Sequence, residues 1–396
     1  MPVPEMSRTT FRWLNGAAHA AFVPIGIVTV LLGPLLPSLS ARWMLNYAQD
    51  GSLFTAQFAG STIGVGLSGL IAARWGFRSA INTGLFATAV GVGLLPFSSR
   101  SFGLICIFCY GIGLGLAIPA ANLLVAALNH GRESAALNRL NFSWSVGAVA
   151  APFLVAAAAK ADHVPLLLFL IAGLLLAASL AIAATPSSVD HAGVRVVDSS
   201  QPSPINWSQR SVFVLSALFF LYVGTENAFG GWLASYAKSL TTSSTVLSVT
   251  TPSFFYAALM VGRWIAPLVL KQKDDLKSAR AGLAIACLGM AGLVLSRIMP
   301  LVVSSAAVAG FGLAAVYPIT ISRLSQEFGS AASRVGSVTF TMANLGGASL
   351  PWVVGYTSHQ FHNLRVGLTV PLATTTLMYL LYRRNAGRGL VLPEPV

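Results

Sequence analysis

Charge is what this chain has least of. Only 9% of its 396 residues are Asp, Glu, Lys or Arg, against about 25% in soluble domains, and that excludes an ordinary water-soluble fold. Cysteine is also scarce, with Cys106, Cys109 and Cys287 all inside apolar runs. A disulfide framework or a zinc site needs polar neighbours these lack, so the Cys106 and Cys109 spacing reads as packing. There is no nucleotide-binding loop, no H-E-x-x-H and no G-x-S-x-G. The alternation of Gly111, Gly113 and Gly115 lies within an apolar run and has no phosphate-binding context. No cofactor and no metal are expected.

What the chain has instead is apolar length. Hydrophobic residues make up 55% and the mean hydropathy is +0.74. They come in long uncharged runs, not in alternating ten-residue segments, which favours helices, since a helix of about 20 residues crosses a bilayer with its backbone satisfied. The runs fall at 14–38, 51–73, 79–97, 102–127, 138–160, 164–184, 211–237, 247–270, 279–297, 300–324, 334–358 and 363–382. This predicts an all-α membrane protein of twelve transmembrane helices. Arg8 and Arg12 precede the first run, which is longer than a signal-peptide core and reads as a retained helix.

The net charge of +13 does not point to nucleic acid, because the basic residues sit in short clusters between apolar runs. With both termini cytoplasmic, the inner segments, counted to include Arg263, hold eighteen Lys and Arg and the outer segments six. Positive loops stay inside, so the expectation is a multi-pass protein of the cell (inner) membrane, immersed in lipid and acting as a monomer.

The polar stretch from Thr185 to Gln209 holds Pro186, Pro202, Pro204 and several serines, a linker composition. It divides the chain into a six-helix half (1–184), a cytoplasmic linker (185–209) and a second six-helix half (210–396). The halves echo each other. Gly111, Gly113, Pro119, Gly147 and Pro152 recur as Gly310, Gly312, Pro318, Gly346 and Pro351, each 199 positions on. One shift aligning five such positions over two helices implies parallel repeats, and small residues there also let helices pack closely.

At the end of the second run, Gly69, Arg74, Gly76 and Arg78 match the loop signature between helices 2 and 3 of the major facilitator superfamily, so the chain resembles that family. The family's usual acid is replaced by Ala73, in the element that latches the cytoplasmic ends of the two halves. In the seventh run, Tyr222, Val223, Gly224 and Glu226 are similar to a segment of the fucose permease-like sugar transporter group. Leu137 and Asn138, followed by Gly147, Ala148 and Pro152, agree with that group. The resemblance implies a secondary transporter, not an enzyme, moving a small hydroxylated solute, a sugar, across the cytoplasmic membrane by alternating access of two six-helix halves. Gating roles for Gly69, Arg74, Gly76 and Arg78 come with it.

Of eleven acidic residues, Glu226 alone falls within a predicted span, and no basic residue falls deep in one. An unpaired carboxylate at membrane depth costs roughly 2.5 to 3.5 kcal/mol, so Glu226 is expected to be neutralised by a proton or hydrogen-bonded by a hydroxylated solute, and is the candidate for proton coupling. Candidate substrate ligands are Gln57, Asn122, Asn141, Trp144, Asn227, Tyr256, Tyr317 and Asn344. Amides donate and accept at once, as sugar hydroxyls require, and aromatic faces stack on a pyranose. His19 is a weaker proton-transfer candidate. The similar group also carries an acid in its first helix, whereas residues 14–38 contain none, which leaves a facilitator open beside a symporter. Proton-linked efflux of an amphipathic compound stays open too, as does a transporter-like receptor or membrane-embedded enzyme, although an enzyme would need a second titratable group near Glu226.

Overall fold

The structure is a computed structural model that describes residues 8–129, 132–185, 210–240, 245–270, 275–329 and 332–386. Regular structure among the described residues is entirely helical. The elements are α1 (Arg8–Trp43), α2 (Tyr47–Trp75), α3 (Phe77–Leu94), α4 (Arg100–Leu128), α5 (Glu133–Lys160), α6 (Val164–Ala183), α7 (Arg210–Leu240), α8 (Thr245–Leu270), α9 (Asp275–Leu295), α10 (Met299–Leu313), α11 (Val316–Phe328), α12 (Ala332–Gln360), α13 (Leu364–Gly367) and α14 (Thr369–Ala386). Among the described residues, ten segments are long and apolar enough to cross a membrane, with Met299–Phe328 and Leu364–Arg383 each counted once despite a break. The 26 residues of α8 and 29 of α12 complete the twelve crossings that the hydropathy pattern predicts.

Local chemistry sets the ends of these helices. The Asn46 side chain accepts from the Gln49 amide while Gln49 reaches back to the Asn46 amide, a reciprocal cap at the start of α2. Gly76, at φ +86°, turns the chain from α2 into α3 in a conformation that side chains with a Cβ avoid. Two sequence expectations fail here. Asp50, read as a loop acid, lies in the first turn of α2 and is only 3% exposed. Arg263, counted with the cytoplasmic charges, lies well inside α8. Asp50 was taken to mark the edge of the 51–73 run, whereas Arg263 was counted as a cytoplasmic charge although it falls within the predicted 247–270 run.

The chain forms two compact units. The first comprises α1 to α6 together with residues 231–253, and the second comprises residues 210–230 and those from 254 onward. Residues 186–209, almost all of the predicted linker, lie outside the described residues.

Within each unit the matched glycines carry the packing. A methyl group added at Gly111 would meet the Gln57 carbonyl of α2, and one at Gly310 the Phe255 carbonyl of α8. Gly113 lies against Gly84 and Thr88 of α3, and Gly312 against Gly282 and Ala286 of α9. Gly147 meets the Val23 carbonyl of α1 and Gly346 the Phe220 carbonyl of α7. Helix 4 thus packs on helices 2 and 3, and helix 5 on helix 1, with backbone touching backbone, and the second unit repeats each crossing with its own helices. The 199-residue shift is a repeat of contacts as well as of letters.

Candidate functional site

The first unit builds a polar network from α1, α2, α4 and α5. Gln57 is 3% exposed. Its amide nitrogen donates to the Thr29 carbonyl at 3.0 Å, and its oxygen accepts from the Tyr110 hydroxyl at 3.1 Å. The Trp144 indole donates to the Thr29 hydroxyl at 3.3 Å, and Thr29 donates in turn to the Ile25 carbonyl at 2.7 Å. A buried amide has to fill its donors and its acceptor, and here Gln57 does so with groups far from it in sequence. Two predicted residues, Gln57 and Trp144, are thereby joined through Thr29. Thr29 and Tyr110 were not foreseen, because a lone hydroxyl in an apolar run gives no local signal. His19 Nδ1 is 3.1 Å from the Ser143 hydroxyl.

The second unit places a charged pair where the sequence reading expected a single acid. Arg263 Nη2 lies 3.5 Å from Glu226 Oε2, with the two side chains 25% and 12% exposed. The same nitrogen donates to the Tyr222 hydroxyl at 3.4 Å, and Tyr222 donates to the Leu313 carbonyl at 3.3 Å. Glu226 therefore has a basic partner. Residues 226 on α7 and 263 on α8 are distant in sequence and meet only when these helices pack.

Three tyrosines, Tyr222, Tyr256 and Tyr317, lie within electrostatic reach of this pair. The Tyr317 ring lies 5.3 Å from that of Tyr222 and stands edge-on to Phe219 at 5.6 Å, and Phe219 meets Phe340 at 5.4 Å. Tyr256, also buried, packs on Phe255 at 5.1 Å and against Gly230. These rings present apolar faces with phenol groups at their edges, a chemistry that suits a ligand with both hydroxyls and an apolar face.

The asparagines are less engaged with one another. Asn122, Asn141 and Asn227 each donate to a carbonyl one turn back on their own helix, at 2.8, 2.9 and 2.8 Å, which leaves each amide oxygen free of that bond. Asn141 is exposed. Asn344 is half-buried and makes no hydrogen bond among the described residues. None of the four is hydrogen-bonded to another predicted ligand among the described residues.

In the first turn of α3, Arg78 is 7% exposed and donates to the carbonyls of Ala183 and Thr185 at the end of α6, a cation on the negative end of a helix. The Arg74 guanidinium lies over the Trp75 ring, 4.9 Å from its centre, while Gly69 is exposed. Only Arg78 and Gly76 are tied into the packing here.

Comparison with known proteins places this architecture. A glucose/galactose transporter of Brucella abortus is 28% identical over 355 residues, covering 83% of this chain and 84% of the relative. A putative glucose/galactose transporter of Helicobacter pylori is 24% identical over 93% of this chain and 95% of its own. The crystal structure of the Escherichia coli fucose:proton symporter superposes with a TM-score of 0.63 at 17% identity, over 95% of this chain and 99% of that one, a likeness of fold. The family model of the Major Facilitator Superfamily matches residues 12–351. The duplicated glycine contacts, the twelve crossings and this match together establish that the chain belongs to the Major Facilitator Superfamily.

Proposed function

We propose that this protein is a secondary transporter that moves a small hydroxylated solute, a monosaccharide of the glucose and galactose type, across the cell membrane by alternating access of its two six-helix halves, 1–184 and 210–396, joined by the 185–209 linker. The observation that carries this reading is similarity over most of the chain to relatives named as glucose/galactose transporters. The site chemistry agrees with it: Gln57, Trp144, Glu226 and Tyr317 supply hydroxyl-binding groups and ring faces, and the amide oxygens of Asn122, Asn141, Asn227 and Asn344 can add to them. In this reading both termini are cytoplasmic and the protein works as a monomer.

Glu226 is the coupling acid in this proposal, with Arg263 changing how it works. Arg263 and a bound proton compete for the same carboxylate, and a solute hydroxyl that takes over the arginine or the carboxylate is the natural trigger. Glu226→Gln is expected to retain exchange of solute between two pools while losing accumulation against a gradient. A variant that still accumulates excludes the switch, and loss of exchange makes Glu226 a substrate ligand instead.

The ring-rich surroundings of Glu226 favour one second reading, efflux of an amphipathic compound. A thermal-shift series on the purified protein separates the two, because a ligand that binds the folded state raises its melting temperature. Glucose and galactose are expected to stabilise and cationic amphiphiles to leave the transition unmoved; the opposite pattern selects efflux. Alanine at two or more of the four asparagines is expected to weaken sugar uptake with expression intact, and unchanged uptake in all four removes them from the site.

A further inference from the structure

Asp50 is a carboxylate that the reading above leaves unused. It is 3% exposed. Its Oδ2 accepts from the Ser40 hydroxyl at 3.0 Å, and its Oδ1 has no hydrogen-bond partner among the described residues. No arginine, lysine or histidine is paired with it there. The side chain that reaches it from a neighbouring helix is Ser40 of α1. The Arg42 guanidinium donates instead to the Pro96 carbonyl at 2.7 Å, and Arg100 and Lys238 are exposed. On its own helix Tyr47 is the nearest titratable group. A buried carboxylate that is charged, unpaired and half-bonded is costly, and the neutral acid costs far less.

What covers this acid is also visible. Tyr47, Asp50 and Phe54 are three and four residues apart on α2 and so share one face. Trp232, fully buried, lies along that face, its ring 6.2 Å from Tyr47 and 6.3 Å from Phe54. Gly231 admits the Phe54 ring to its backbone, where a methyl group would come within 2.7 Å of it. Residues 231–253 belong to the first unit through contacts of this kind, including the Ser253 hydroxyl donating to the Val149 carbonyl at 2.9 Å.

From this geometry we infer that Asp50 is a proton-binding site of the first unit, and that protonation of Asp50 is linked to docking of the 231–240 segment over Tyr47 and Phe54. Docking takes the carboxyl out of water and selects its neutral form, and by reciprocity the neutral form selects docking. The sign follows: the docked arrangement is populated at low pH and gives way as pH rises. The inference does not depend on which solute is carried.

The test is a distance measurement between spin labels at Met44→Cys and Lys238→Cys, both sites being exposed in the first unit, with Cys106, Cys109 and Cys287 replaced by alanine. The protein is held in lipid nanodiscs and titrated from about pH 5 to about pH 9 without solute. The short-distance population is expected to fall as pH rises. Asp50→Asn, neutral at every pH, is expected to hold that population constant. Ser40→Ala removes the donor that supports the anion and is expected to keep the segment docked to a pH about one unit higher. A population that does not change with pH overturns the inference, as does an Asp50→Asn protein that responds like the parent. If Asp50→Asn does not fold, the Ser40→Ala shift decides. A change on replacing choline chloride by sodium chloride at fixed pH overturns the proton assignment in favour of a metal cation.

Discussion

Arg263→Met is expected to lower the melting temperature of the purified protein and to abolish solute accumulation, and adding Glu226→Gln to it is expected to return most of the lost stability. Methionine keeps much of the arginine stem and removes its charge, so Glu226 is left sheltered at 12% exposure with no countercharge. Breaking a buried pair from one side costs about 3 to 5 kcal/mol, mostly because the surviving charge is stranded. The lower end applies here, since the contact is a single one at 3.5 Å and Arg263 keeps 25% exposure. Replacing both charges removes the stranded ion, so the double variant should lie close to the parent in stability while remaining unable to accumulate solute. A single Arg263→Met variant as stable as the parent would show that the pair carries no weight in the fold.

Gly147→Leu and Gly346→Leu are each expected to prevent recovery of monodisperse protein. At both positions the space a Cβ needs is taken by the carbonyl of a neighbouring helix, Val23 in one unit and Phe220 in the other. Backbone cannot swing aside as a side chain does, so the helices must separate, and separation undoes the contacts flanking the glycine. Overpacking against side chains costs about 1 to 3 kcal/mol, and against backbone the cost lies above that range. Even alanine should lower thermal stability at these two sites. Gly173→Leu is the control, because a Cβ there meets nothing within 4 Å. Size-exclusion profiles from small cultures would check all three, and normal behaviour of both leucine variants would refute the account of helix packing.

The helices were legible because crossing a bilayer demands an apolar run, and such runs survive isolated interruptions. Those interruptions were where the reading went astray. Asp50 was assigned to a loop since a charge in a hydropathy pattern looks like an edge, and Arg263 was counted with the cytoplasmic charges although its own run encloses it, whereas the fold buries one beside Ser40 and pairs the other with Glu226. The repeat was legible from glycine and proline alone, because backbone contact admits no other residue at those positions and so leaves a fixed spacing behind. The site was legible only as a set of residue types. Gln57 was named and its partners were not, since Thr29 is 28 positions away and Tyr110 is 53, and nothing local marks residues that meet through packing. The four asparagines were chosen on the same grounds, and three of them are bonded to their own helices.

The repeat is unequal at one place. Pro119 lies inside the unbroken α4, whereas Pro318 follows a break between α10 and α11 at Ala314 and Ala315. A proline within a helix lacks the amide that would bond four residues back and crowds that carbonyl. In the first unit that residue is Gly115, which lies against the Ser61 carbonyl; in the second it is Ala314, whose methyl group faces Gly262. The neighbouring Leu313 carbonyl is taken instead by the hydroxyl of Tyr222, the tyrosine that also receives Arg263. The helix is therefore continuous in the first unit and interrupted in the second, and a carbonyl at the interruption is held by a phenol that also meets Arg263. The charged pair and the interrupted helix are thus joined through one hydroxyl, so that a change at Arg263 bears directly on the carbonyl at the interruption.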